Sequence, residues 1–237
     1  MFFKARLKSA VGRLVPRDRL EQLTEYAIAE REQAVSLRDA ELIQPSGSSW
    51  TDVIERGRET LWQRTLGHIS RTDILFLEFG VWRGESIRTF TGLNTSANSR
   101  FYGFDSFEGL PEDWRGMAAE RFNVEGRPPE VDDDRVEFIK GWFQDSLPPM
   151  MDRIEREAAA RAVVVHFDAD LYSSTLFLLF TLGARLKHYH FIFDEFSGHE
   201  TRALFNYIQA TGAKASFLYR LDWRGCPQVV SGEMRNS

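Results

Sequence analysis

From residue 74 onward, short and largely apolar runs alternate with segments of helical pattern, and no other feature narrows the possible folds as far. The runs are Ile74–Phe79, Phe101–Phe104, Val136–Ile139, Ala162–Phe167 and His190–Phe193, with two more near Ala215–Tyr219 and Gln228–Val230. Helical segments fall between them at Ser86–Leu93, Met150–Ala160, Ser173–Lys187 and Thr201–Thr211. Strands that lack a polar alternation are buried on both faces, and helices between consecutive strands provide the cover. The expected fold class is therefore α/β: a doubly wound, mostly parallel, seven-stranded sheet of Rossmann-like type.

The chain ahead of this region reads differently. Trp50–Ser70 is expected to be a helix, capped by Ser49 or Thr51, and Pro45–Ser49 a turn-rich linker. Leu20–Leu42 holds strong helix formers and no Gly or Pro, which predicts one more helix. In the leader, Phe3, Leu7, Val11 and Leu14 recur at helical spacing among basic residues until Pro16. Its apolar face is expected to pack on the domain or a partner subunit; peripheral contact with anionic lipid is the weaker alternative, because one short helix binds membranes only marginally. The expected organisation is a leader with a helix at 1–49, then one domain at 50–237, with a homo-oligomer contact through the N-terminal helices.

Charge and cysteine content exclude several classes. Residues 1–20 carry six Lys/Arg and one acid, so a net charge of −5 for the whole chain leaves −10 on residues 21–237. An acidic body argues against gripping a nucleic-acid backbone. A single cysteine, Cys226, closes no intrachain disulfide and builds no thiolate cluster. The longest apolar stretch, Leu176–Ala184, falls far short of the roughly 20 residues that span a bilayer. Lys4, Arg6, Lys8 and Arg13 interrupt what would be the apolar part of a secretory signal, so a cytoplasmic protein is expected.

In open α/β sheets ligands bind beyond the carboxyl ends of the strands. After the first strand comes Glu78-Phe79-Gly80-Val81-Trp82-Arg83-Gly84, a glycine turn that is not the G-x-G-x-x-G of dinucleotide sites. After the second stands Asp105, placed to accept from ribose hydroxyls, followed by Ser106. Trp142 and Phe143 follow the third strand and offer aromatic surface to an adenine. Asp168 and Asp170 follow the fourth, and Asp194 and Glu195 the fifth. Carboxylates gathered at adjacent strand ends call for positive charge, and all-oxygen donors suit Mg2+. The other reading of these acids is that they cap helix N-termini or pair with arginines on the rim; it is preferred for Asp170, just ahead of a helix, and the metal for Asp168 and Asp194. The five histidines show no metal-ligand spacing; His166 is expected in the core, His188 and His190 start the fifth strand, and His199, with Tyr172, is a weak candidate for orienting substrate. The long interval 106–134, with Pro111, Pro128, Pro129 and Asp132-Asp133-Asp134, is a candidate lid, or else a tolerated surface insertion.

From about Trp50 to the end, the chain resembles the macrocin O-methyltransferase family, class I S-adenosylmethionine-dependent methyltransferases acting on sugar hydroxyls in natural product biosynthesis. The resemblance rests on Glu78-Phe79-Gly80-Val81 with Gly84, on the run Gly103 to Pro111, on Lys140-Gly141-Trp142-Phe143 with Asp145 and Leu147-Pro148, and on Asp168-Ala169-Asp170-Leu171-Tyr172 with Ser174-Thr175. It implies that Glu78, Gly80 and Gly84 shape the methionine end of the cofactor pocket, that Asp105 holds the ribose, and that Trp142 or Phe143 borders adenine. It also implies Mg2+ on Asp168, Asp194 and Glu195, with Asp168 as the base; the family's usual Asp-Asp is here Asp194-Glu195. The partner is then a small-molecule hydroxyl acceptor, a sugar or glycosylated compound. Two other readings stand beside this one: a nicotinamide-dependent oxidoreductase, against which the missing glycine fingerprint counts, and a non-catalytic module that keeps the cofactor pocket.

Overall fold

The computed structural model describes residues 37–237 except 46, 48 and 197. The expected leader helix, and most of the helix expected over Leu20–Leu42, lie outside the described residues. Where that second helix should end, the chain instead makes a turn and a strand, β1 (Glu41–Ile43). Helix propensity is overruled here because β1 lies parallel to β7 (Lys214–Trp223) and seats Ile43 in the core.

The remaining elements are α1 (Trp50–His68), β2 (Ile74–Phe79), α2 (Glu85–Leu93), β3 (Arg100–Asp105), β4 (Val136–Lys140), α3 (Phe143–Ser146), α4 (Met151–Ala158), β5 (Ala162–Phe167), α5 (Tyr172–Gly183), β6 (His188–Phe193), α6 (His199–Thr211), β7 and β8 (Cys226–Arg235). They form one sheet of eight strands in the order β1-β7-β8-β6-β5-β2-β3-β4. The count exceeds the expected seven by β1. Every pairing is parallel except those of β8, which runs antiparallel to β6 and β7.

All six residues of β2 are buried, as its unbroken apolar character predicts. Successive side chains point to opposite faces. Leu75, Leu77 and Phe79 therefore join one core with α4, α5 and α6, through Ile154, Leu178, Leu182 and Leu204. Ile74 and Phe76 join the other, with Ile54, Leu61 and Trp62 of α1 and Ile87 and Phe90 of α2. The Ser49 hydroxyl caps α1 by accepting from the Asp52 N–H at 3.0 Å. No described helix is long and apolar enough to cross a membrane.

Register sets up the functional end. Phe79 lies opposite both Phe104 and Phe167, and Phe167 opposite Phe193. Their rings form a row across the sheet, with centroids 4.9 Å (Phe79 to Phe104), 6.3 Å (Phe79 to Phe167) and 4.5 Å (Phe167 to Phe193) apart. One residue further, the backbone ladder continues: Gly80 N–H donates to Phe104 O, Asp168 N–H to Phe79 O and Asp194 N–H to Phe167 O, at 2.9 to 3.0 Å. Gly80, Asp168 and Asp194 are thus lined up above a phenyl floor.

Candidate active site

A cavity of about 410 Å³ opens over this rim. Gly80, Val81 and Trp82 wall one side, Asp105 and Ser106 the next, then Trp142, Phe143 and Gln144, and finally Asp168, Asp170, Asp194 and Glu195. Two arginines that no sequence spacing marks complete it: Arg58 from α1 lines the cavity, and Arg115 from the 106–134 interval reaches Glu195. That interval lines the cavity through Pro111, Trp114, Met117, Arg121 and Phe122.

The glycine turn has steric reasons. Gly80 has φ +97°, and a Cβ there would sit 2.0 Å from the Asp168 carbonyl oxygen. Only glycine permits that backbone crossing. Gly84 is off the cavity wall: with φ +74° it starts α2, and a Cβ would meet Pro129 at 2.8 Å. Asp105 lines the cavity, but its carboxylate is already engaged. Oδ2 accepts from the N–H groups of Val81 and Trp82, both at 2.8 Å, and Oδ1 from Phe107 N–H at 2.7 Å. In this arrangement Asp105 locks the turn, and Trp82 and Phe107 take left-handed backbone conformations beside it. Ser106 Oγ donates to Gly109 O at 2.9 Å and accepts from Glu108 N–H at 3.1 Å, closing the start of the overlying loop.

Glu78 is not on the cavity wall. The pleat that sends Phe79 toward α5 sends Glu78 toward α1 and α2, where it is fully buried. Its Oε1 accepts from Ser86 Oγ at 2.5 Å and faces His166 Nδ1 at 2.9 Å. His166 Nε2 in turn lies 3.6 Å from Asp194 Oδ1. Burial opposes charge on this imidazole, yet Asp194 and Glu78 on either side outweigh it and raise its pKa to about 10. His166 is thus a core histidine, as expected, set between two carboxylates that favour its protonated form, while burial shifts Glu78 upward.

Above it, Arg58 lies 2.9 Å from Asp194 Oδ2. Burial works to raise the Asp194 pKa, but Arg58 and His166 prevail and hold it below the usual value. The neighbouring acids go the other way. Burial first, then the charge of Asp194, pushes Asp168 up to about 8. Burial, then Asp168, pushes Asp170 up to about 9. Glu195 is raised by burial against the pull of Arg115, and Glu200, fully buried with Oε1 lacking a hydrogen-bond partner, is raised well above its ordinary value. This rim holds more carboxylates than its cations balance, and such clusters of perturbed groups in a cleft mark functional sites.

Asp170 corrects an expectation. The residue that caps α5 is Leu171 and no side chain bonds the helix end, whereas Asp170, in a left-handed conformation, lines the cavity. Tyr172 and His199, the weak substrate candidates, meet each other: Tyr172 N–H donates to His199 Nδ1 at 3.3 Å. Neither is on the cavity wall, because Tyr172 turns to Asn206 and stacks under Arg202.

Residues 118–226 match the macrocin-O-methyltransferase (TylF) family. A relative from Streptomyces olivaceus, 8-demethyl-8-(2,3-dimethoxy-alpha-L-rhamnosyl)-tetracenomycin-C 4'-O-methyltransferase, is 33% identical over 132 residues, which cover 47% of this chain and 48% of the relative. The chain thus spans about half the length of that relative. Among solved structures, the O-methyltransferase NovP superposes with a TM-score of 0.53 at 22% identity, over 77% of this chain and 79% of its own, a likeness of fold. Over residues 118–226 the chain is similar to the macrocin-O-methyltransferase (TylF) family, and the sheet that carries this segment has the class I methyltransferase fold.

Proposed function

We propose that this protein is an S-adenosylmethionine-dependent O-methyltransferase whose acceptor is a hydroxyl on the sugar of a glycosylated small molecule. The observation that carries the reading is the rim itself: a glycine turn whose backbone only Gly80 permits, opposite an elevated carboxyl at Asp168, in one cavity walled by Trp142 and Phe143. The sugar acceptor follows from the relative of Streptomyces olivaceus, named as a 4'-O-methyltransferase of a rhamnosylated compound.

When bound, S-adenosylmethionine supplies an electrophilic methyl group and leaves as S-adenosylhomocysteine. The turn at Gly80–Trp82, held by Asp105, offers the cofactor's amino-acid end a close backbone approach. Trp142 and Phe143 offer the adenine an apolar wall. Asp168 takes the proton from the acceptor hydroxyl; a carboxyl lifted toward neutrality is a better-matched base than an ordinary one. Arg58 and His166 keep Asp194 ionised beside it, and Trp114, Met117 and Phe122 exclude water from above.

Asp168, Asp194 and Glu195 would hold Mg2+. The donors are all oxygen, Asp194 Oδ1 is buried without a hydrogen-bond partner, and the acids around it outnumber the arginines that face them, which suits a hard divalent cation. Such a cation would supply Lewis acidity at the acceptor oxygen. Asp194 Oδ2 and Glu195 Oε2 are shared with Arg58 and Arg115.

The test is calorimetric titration of S-adenosylhomocysteine into metal-stripped protein, repeated with Mg2+ and with NADH as the comparison ligand. Micromolar binding of the homocysteine product, with a separate Mg2+ heat that Asp194→Ala removes, is expected. Preference for NADH would sink the reading and favour an oxidoreductase.

A further inference from the structure

At the amino end of β6, away from the cofactor rim, the fold assembles a second cluster of donor groups. His188 and His190 are two apart on the strand, so both rings leave the same face. Tyr189 between them goes to the opposite core. β8 runs antiparallel to β6 and puts Glu233 directly across from His190. α1 ends at His68 over the same spot, with Nε2 3.6 Å from Glu233 Oε1.

The donor atoms of His188, His190 and Glu233 all lie within 4.8 Å of one another. His188 Nε2 is 3.4 Å from Glu233 Oε2, and His190 Nδ1 is 4.0 Å from Oε1. Ligands each about 2.0–2.1 Å from a tetrahedral zinc stand roughly 3.3 Å apart, so the cluster needs only small side-chain adjustments to close on an ion. His190 is the independent pointer. Its residue is 7% exposed, and Nδ1 is buried with no hydrogen-bond partner while facing the carboxylate. A buried, unsatisfied ring nitrogen is costly unless something fills its lone pair or accepts its proton. Arg235 also reaches Glu233 Oε2, at 3.1 Å, from an exposed position that can yield.

We propose that His188, His190 and Glu233, with His68 as the fourth donor, form a site for a zinc-class divalent cation. Imidazole nitrogens select such ions over Mg2+. The ion cross-ties the end of α1 to β6 and β8, and its role is structural, since Asp194 lies at the other end of β6.

The test uses tag-free full-length protein stripped with chelator, titrated with Zn2+ in excess Mg2+. One zinc per chain is expected, with a rise in thermal midpoint and, on Co2+ substitution, the visible absorption of a tetrahedral site. Glu233→Gln and the exposed His188→Ala should each weaken binding at least tenfold while the protein stays folded by circular dichroism. Asp194→Asn should still take up one zinc. Absence of stoichiometric zinc, or zinc uptake that survives both His188→Ala and Glu233→Gln, would overturn the proposal.

Discussion

Arg58 and Asp194 form an ion pair at 2.9 Å between the first described helix and the end of a strand more than a hundred residues later. Asp194 is almost wholly buried, and Arg58 and His166 are the charges that hold it ionised. Removing Arg58 leaves the buried carboxylate facing His166 alone of these two cations, so part of the penalty of a broken buried pair is expected. Arg58→Ala should cost about 2–3 kcal/mol in urea unfolding at pH 7, with Arg58→Lys recovering part of it. An unchanged midpoint would mean that water screens the pair.

Asp168→Asn removes the proton acceptor and keeps the shape. Methyl transfer to a glycosylated acceptor should fall at least a hundredfold, while S-adenosylhomocysteine affinity stays within a few fold. Product formation is read by mass spectrometry and affinity by calorimetry. Loss of both together would make the residue structural.

Gly80→Ala places a methyl group against the Asp168 carbonyl in a backbone conformation that L side chains rarely adopt. A loss of about 2–3 kcal/mol is expected, with cofactor affinity reduced in parallel. Asp105→Ala should also weaken cofactor binding, because the Val81 and Trp82 N–H groups lose the carboxylate that arranges them. Affinity left intact in Asp105→Ala would remove the turn from the binding site.

The far end of the overlying interval has its own clamp. Arg135 pairs with both oxygens of Asp133 and donates to the carbonyls of Thr91, Asn94 and Ser96. The hydrogen bond from Arg135 holds the Asp133 carboxyl below its ordinary value, against a smaller opposing effect of burial. A folded value below the unfolded one means that the clamp contributes fully above about pH 4 and is lost as pH falls through the folded value. Asp133→Asn should therefore have a lower urea midpoint than the parent at pH 7, and the two should converge once the pH falls below the folded value. Arg135→Ala should cost about 2–3 kcal/mol at pH 7, since three carbonyls lose a charged donor.

Much of this was legible before any coordinates. Local pattern located β2 to β8 and the helices between them, and the rule that ligands sit beyond strand carboxyl ends led to Gly80, Asp105, Trp142, Asp168 and Asp194. These residues follow strands directly, so strand order and register place them without help from side-chain packing. Glu78 was misplaced because one step along a pleat reverses the face, and Asp170 because the residue before a helix reads as its cap whether or not its side chain turns back. His188 and His190 already stood at strand spacing, but Glu233 and His68 are 43 residues or more away in sequence, and no single-segment pattern joins them.

The sequence by itself determined the elements from residue 50 onward in outline, their α/β order and the carboxylates of the rim, because periodicity and strand ends are local properties, whereas β1 is a strand only through its pairing with β7. The tertiary structure alone decided which charges face those carboxylates. Arg58 arrives from α1, Arg115 from the overlying loop and His166 from beneath, and each depends on how distant elements pack. Ionisation at Asp168 and Asp194 is set by burial and by neighbours a few ångströms away in space, and neither is written in the order of residues along the chain.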